Sequence, residues 1–175
     1  LSFSSDTTLG VSLLASITES SEGGQNIVFW DLNQKKIFSS LQEAHSNKQI
    51  SCIKFMSNEP VLISSSEEGN SIKMWLFEKG QAVPRLLRQR AGHAETPSRI
   101  RFYGGQDDPI MHGARNLISC SADGALRDIS LLNEFQSMDF SQKNLKKGNV
   151  RNDKGDCQLG KVTQFDFSQF RERDW

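Results

Sequence analysis

The 175-residue chain has no net charge, with 21 Lys and Arg against 21 Asp and Glu. That balance argues against a general nucleic-acid binder, which carries a basic excess, and leaves room for a local basic patch. Long apolar runs are missing too. None approaches the ~18 residues that a membrane-crossing helix requires. Leu1 opens the chain with no initiator Met, no charged segment and no signal-like apolar stretch, so the chain is expected to be a fragment of something longer. Cysteine is scarce. Cys52, Cys120 and Cys157 are odd in number and show no CxxC spacing, which indicates neither a disulfide framework nor a zinc knuckle. Cys52 and Cys120 fall in strand-like runs, where a thiol acts as a small apolar residue. Reduced thiols fit an intracellular compartment; an extracellular protein with one bridge is the alternative.

Catalytic signatures are absent as well. Ser, His and Asp all occur, but there is no G-x-S-x-G elbow to expose a nucleophile. Glu67-Glu68 and Asp107-Asp108 are adjacent carboxylates, which point different ways in a strand or loop, whereas paired catalytic carboxylates converge across a cleft. His112 stands alone in a polar insertion, residues 104–115, and reads as a surface residue. Gly104-Gly105 lacks the Gly-Lys-Ser/Thr that completes a phosphate-binding loop. The expectation is no catalytic residue, no metal site, no cofactor, no small-molecule substrate and no membrane.

What is present is repetition. One signature, apolar-x-x-apolar-x-Phe, occurs at Ile50–Phe55 and Val162–Phe167, with a weaker copy at Pro97–Phe102 and a truncated one at Leu1–Phe3. Its last two apolar positions alternate and so share one face of a strand. The phenylalanines at 3, 55, 102 and 167 are 52, 47 and 65 apart, against ~40–45 residues for a propeller blade, so loop insertions are expected. The copies at Leu1–Phe3, Ile50–Phe55 and Pro97–Phe102 are each followed by a small-residue strand, a turn and another strand: Val11–Ile17, Glu22-Gly23-Gly24 and Ile27–Asp31; Val61–Ser65, Glu68-Gly69-Asn70 and Ile72–Trp75; Leu117–Ser121, Asp123-Gly124 and Ala125–Ile129. Glycine at these turns supplies the positive φ that tight hairpins require. Lys35–Leu41, Pro84–Arg88 and Gln136–Phe140 close the units.

This pattern resembles the WD-repeat family. Trp30-Asp31 matches the family's terminal dipeptide, Gly92-His93 its opening dipeptide and Asp123 its turn aspartate. The resemblance implies an all-β fold, a partial WD-repeat β-propeller of about three four-stranded antiparallel blades plus the first strand of another. It also implies a buried network of His, Ser or Thr, Asp and Trp within each blade. The matching residues are His45, Ser64 or Ser66, Glu68 and Trp75 in the second unit, and His93, Ser119 or Ser121, Asp123 and Ile129 in the third. Glu68 stands for Asp, Ala44 for Gly and Ile129 for Trp, so the network is expected to be incomplete in the second unit and to lack its indole in the third.

The units divide as 1–42 (a first blade incomplete at its N-terminus), 43–90, 91–142 with the insertion 104–115, a basic connection 143–160, and 161–175 as the first strand of a next blade. A closed propeller has ~4–8 blades, so these units leave open flanks, through which an isolated piece is expected to self-associate. Two basic clusters are candidates for contact with RNA or a partner: Arg85, Arg88 and Arg90 on a last strand, and Lys143, Lys146, Lys147, Arg151 and Lys154 in the connection. Phosphate contacts of that kind weaken with salt.

A narrower resemblance rests on Arg90-x-Gly-His93, Ile100-Arg-Phe-Tyr-Gly104, Gln136-Ser-Met-Asp-Phe-Ser-Gln142, Val162-Thr-Gln-Phe165 and Arg171-Glu-Arg-Asp-Trp175. These strings are similar to the WD-repeat subunits of the U3 small nucleolar ribonucleoprotein, the WD repeat-containing protein 36 type. That implies a non-enzymatic scaffold of the small-subunit processome, located in the nucleus and nucleolus. It would hold other processome subunits and, indirectly or through basic loops, U3 RNA and pre-ribosomal RNA. A WD-repeat substrate adaptor or signalling scaffold that binds partner peptides is the alternative.

Overall fold

The computed structural model describes residues 1–4, 9–21, 23–46, 48–91, 93–103, 116–131 and 138–140. These residues form three four-stranded antiparallel sheets, each laid down in simple chain order. The first holds β1 (Ser2–Phe3), β2 (Leu13–Glu19), β3 (Gln25–Asp31) and β4 (Lys36–Leu41). The second holds β5 (Ile50–Phe55), β6 (Val61–Ser66), β7 (Ile72–Leu76) and β8 (Arg85–Arg90). The third holds β9 (Pro97–Tyr103), β10 (Asn116–Ser121), β11 (Leu126–Ser130) and β12 (Met138–Phe140). The all-β fold is that of a partial propeller.

The strand pattern follows from which faces are covered. All six residues of β6 are buried, because the second sheet has a neighbour on each side. Leu62 and Trp75 face the first sheet, in a cluster with Leu13, Ala15, Ile27, Phe29, Phe55 and Phe77. Val61, Ile63, Ile72 and Met74 face the third, with Ile100 and Leu117. One strand thus serves two interfaces through its period-2 alternation. The first strands of successive sheets, β1, β5 and β9, approach one another and form the inner edge of the stack. Across this edge the Phe55 N–H donates to Ser2 Oγ at 2.9 Å, and the Ile50 N–H donates to the Gln25 side chain at 2.7 Å.

Several strands begin or end away from the sequence expectation. β2 starts at Leu13 rather than Val11, after a bend in which Gly10 has φ 71°. β8 runs on to Arg90 because it pairs along the whole of β7, with Arg90 opposite Ile72 and a bulge between Met74 and Trp75. Lys35 lies in a turn with φ 54°, and β4 starts one residue later. The Glu68–Asn70 turn is a 3₁₀ turn, with Gly69 at φ 56°.

Among the described residues, no sheet packs on the leading face of the first sheet. Register equates Leu14 and Trp30 with Leu62 and Trp75, residues that the second sheet buries against the first. Phe3 and Leu32 stand where Phe55 and Phe77 stand, yet they are 66% and 40% exposed. Burying one such side chain is worth about 1.5–3 kcal/mol, so this face is built for a neighbouring blade. The insertion 104–115, the connection 143–160 and the strand expected within 161–175 lie outside the described residues.

Candidate functional site

The second sheet contains a continuous polar chain. His45 and Ser64 are fully buried. The Trp75 indole N–H donates to Ser64 Oγ at 2.8 Å. Ser64 Oγ is 2.7 Å from His45 Nε2, and Ser66 Oγ is 2.6 Å from His45 Nδ1. Indole nitrogen only donates. Among the described contacts the Ser64 proton has one acceptor, His45 Nε2. That fixes the neutral ring as its Nδ1–H tautomer, donating to Ser66. The two serines are two residues apart on one face of β6, so each meets a different ring nitrogen. The Glu68 side chain lies outside the described set.

The third sheet assembles different members. His93 Nε2 is 2.8 Å from Ser119 Oγ, the register equivalent of Ser64. His93 Nδ1 is 3.4 Å from Asp123 Oδ2. The same carboxylate accepts the Ser121 hydroxyl, the Ala125 N–H at 2.8 Å and the Ala94 N–H at 2.9 Å. Burial alone would raise the Asp123 pKa. The Ser121, Ala125 and Ala94 donors and nearby His93 outweigh it and hold the carboxyl at about 2. Asp123 therefore ties the β10–β11 turn to the segment entering β9. Ile129, opposite Leu117, occupies the indole's register position and packs as an apolar side chain. Gly92 lies outside the described residues.

In the first sheet the Trp30 indole donates to Ser16 Oγ at 2.9 Å. Asp31 is buried and turns away from that contact. Its Oδ1 accepts the N–H groups of Asn33 at 2.8 Å and Gln34 at 3.0 Å, capping the β3–β4 turn.

Arg85, Arg88 and Arg90 all lie on β8, an outer strand. Arg85 contacts Glu78 at 2.5 Å with both side chains about half exposed, a geometry worth ~0–1 kcal/mol. Lys143, Lys146, Lys147, Arg151 and Lys154 lie outside the described residues.

Sequence reasoning missed a second set of cations, Lys54, Arg99 and Arg101, on the inner strands β5 and β9. Burial, and then the Arg101 guanidinium nearby, push the Lys54 pKa down. The signal was available: Lys54 and Arg101 precede the signature phenylalanine in their respective repeats. Among the described residues, no group of His, Cys, Asp and Glu could hold a metal ion, and no helix is long and apolar enough to cross a membrane.

Four-stranded sheets stacked through their faces, joined along their first strands and carrying His–Ser contacts with Trp or Asp inside the sheet, define a β-propeller of the WD-repeat class. Solved structures with this fold include "Structure of U3-55K" and "Crystal structure of RRP9 WD40 repeats". Each has TM-score 0.57 and 17% identity over 81% of this chain and 36% of the other. In sequence the chain is similar to proteins named for association with U3 small nucleolar RNA and to a WD repeat-containing protein. It is 34% identical over 154 residues to the "U3 small nucleolar RNA-associated protein 21 homolog" of Schizosaccharomyces pombe, covering 86% of this chain. It is 29% identical over 155 residues to "WD repeat-containing protein 36" of Homo sapiens, again over 86% of the chain. The chain spans 16% of the length of each of these two relatives. No protein-family model matches it.

Proposed function

We propose that this chain is part of a non-enzymatic scaffold subunit of the small-subunit processome, acting in the nucleolus in maturation of pre-18S ribosomal RNA. The observation that carries the reading is 34% identity, over 86% of the chain, to a protein named for association with U3 small nucleolar RNA. The structure supports a scaffold. The Ser, His and Asp side chains that a hydrolase would expose are engaged with one another inside the sheets, where they hold the frame. Loops on a rigid frame are where binding resides. In this reading Arg85, Arg88 and Arg90, with Lys143, Lys146, Lys147, Arg151 and Lys154, contact RNA or neighbouring subunits.

The test is immunoprecipitation of the tagged full-length protein, probed for U3 RNA at moderate and high salt. Recovery at both is expected for a protein-held assembly. Recovery at moderate salt alone would move the weight to the basic residues, since phosphate contacts weaken steeply with salt. Absence of U3 at either, beside an abundant unrelated RNA as control, would overturn the reading.

A further inference from the structure

Where the β1–β2 connection, β4 and the β7–β8 connection meet, a cleft of about 290 Å³ opens between the first and second sheets. Leu9, Val11, Phe38, Phe77 and Ala82 give it apolar walls. Phe77 is buried, edge-on to Phe29 at 5.0 Å and tilted against Phe55 at 5.7 Å. The β7–β8 wall has a fixed shape: Gly80 turns at φ 84°, and the Gln81 N–H donates to the Glu78 carbonyl at 3.0 Å. The fold does not require these apolar residues. Counting back from the register equivalents Leu13 and Val61 sets Ser57 and Glu59 of the second repeat against Leu9 and Val11.

The rim of the cleft is cationic. Lys36 lies opposite Asp31 in register, on the face that Phe29 turns toward the second sheet, and Lys79 stands on the other wall. Both lysines are exposed. Glu78 also lines the cleft, but its carboxylate is already paired with Arg85 Nε at 2.5 Å. We propose that this cleft docks a short acidic peptide segment of another protein. One large apolar side chain of that segment sits against Phe38 and Phe77, and a neighbouring carboxylate lies on Lys36 or Lys79. The volume falls at the foot of the ~300–1,000 Å³ range of small-molecule sites and suits one or two side chains. A nucleic-acid base would need an open aromatic face to stack on, whereas Phe77 is occupied by Phe29 and Phe55 and Phe38 packs against the same cluster. Such docking deepens the scaffold reading by giving one partner its chemistry.

The first test is selection of a randomised octapeptide phage library on the purified full-length protein. Enrichment of sequences that set Leu, Ile, Phe or Trp beside Asp or Glu is expected. Affinity of an enriched peptide, read by fluorescence anisotropy, is expected to fall about tenfold in the Leu9→Ser, Val11→Glu double variant, which imports the second repeat's residues. It is expected to fall about threefold in Lys36→Glu and in Lys79→Glu. Hydrogen exchange of β2 and β7 reports whether the double variant keeps its fold. If it does not, the two exposed lysine variants decide. No enrichment, enrichment of peptides without carboxylates, or unchanged affinity in the variants would overturn the proposal. So would a labelled octauridine that displaces the peptide and is lost in the same variants, which would make the cleft an RNA site. Purified protein and peptide suffice, so failure here leaves U3 recovery untouched, and loss of U3 recovery leaves peptide binding untouched.

Discussion

Ser64→Ala cuts the polar chain of the second sheet at its centre. The change removes one hydroxyl and leaves two buried groups without their partner: the Trp75 indole N–H at 2.8 Å and His45 Nε2 at 2.7 Å. An unsatisfied buried group costs ~1–3 kcal/mol, and the site is closed to rescuing water because His45 and Ser64 are fully buried. A total of about 3 kcal/mol corresponds to roughly a hundredfold change in an opening equilibrium. Hydrogen exchange read on peptides from β6 and β7 in the full-length protein measures that opening locally, without assuming two-state unfolding of a large chain. Ser16→Ala is the internal control. It removes the acceptor of a single indole bond at 2.9 Å, and Trp30 is only half-buried. The S16A effect on β2 and β3 is therefore expected to be several-fold smaller. A change under threefold for S64A, or equal changes in the two variants, would falsify the assignment of Ser64 as the hub.

Asp123 gives the third sheet an acid limit. Its folded pKa of about 2 lies below the ordinary value of 3.8, so its contribution is present above about pH 4 and is lost as pH falls toward 2. The full effect is about 2 kcal/mol. D123N should lower protection of β10 and β11 at neutral pH and flatten their pH dependence, after correction for intrinsic exchange; an unchanged dependence would refute the role. Burial raises the pKa of both the Cys52 and Cys120 thiols, and the thiolate is the reacting form. Iodoacetamide at neutral pH should label both slowly in the native protein and rapidly in denaturant; fast native labelling of either would contradict its placement.

The fold was legible because the repeats carry it. Phe3, Phe55 and Phe102 mark the inner strands, and the turn glycines mark the hairpins. Strand ends were less legible because pairing decides them: Arg90 belongs to β8 only because Ile72 lies opposite. The choice between Ser64 and Ser66 was not readable, since residues two apart in a strand share a face and a histidine ring offers two nitrogens. The register of Ser119 with Ser64 settles which serine meets His93 Nε2. Lys54, Arg99 and Arg101 were missed for a similar reason. A single cation in a strand reads as solvent-facing, and only superposing the repeats brings such cations together along an inner edge.

Comparing the three sheets separates what the architecture requires from what it tolerates. The first joins Trp30 to Ser16; the second joins Trp75, Ser64, His45 and Ser66; the third joins Ser119, His93, Asp123 and Ser121 with an isoleucine at the indole position. The shared element is the serine on the second strand, at 16, 64 and 119. It is a small polar residue placed where an indole or an imidazole can reach it. The other members vary because apolar packing between sheets carries most of the adhesion, and the network's task is to satisfy the polar groups that packing encloses. The third sheet follows the same logic. Without an indole, Ser119 has one fewer buried donor to accept, and Ile129 joins the apolar cluster instead. Asp123 then spends its hydrogen bonds on Ser121 and on the backbone of Ala94 and Ala125, fixing the turn beside His93. A frame held in this way can change its inner contacts sheet by sheet while its loops and flanks stay in register, which is the property a multi-partner scaffold requires.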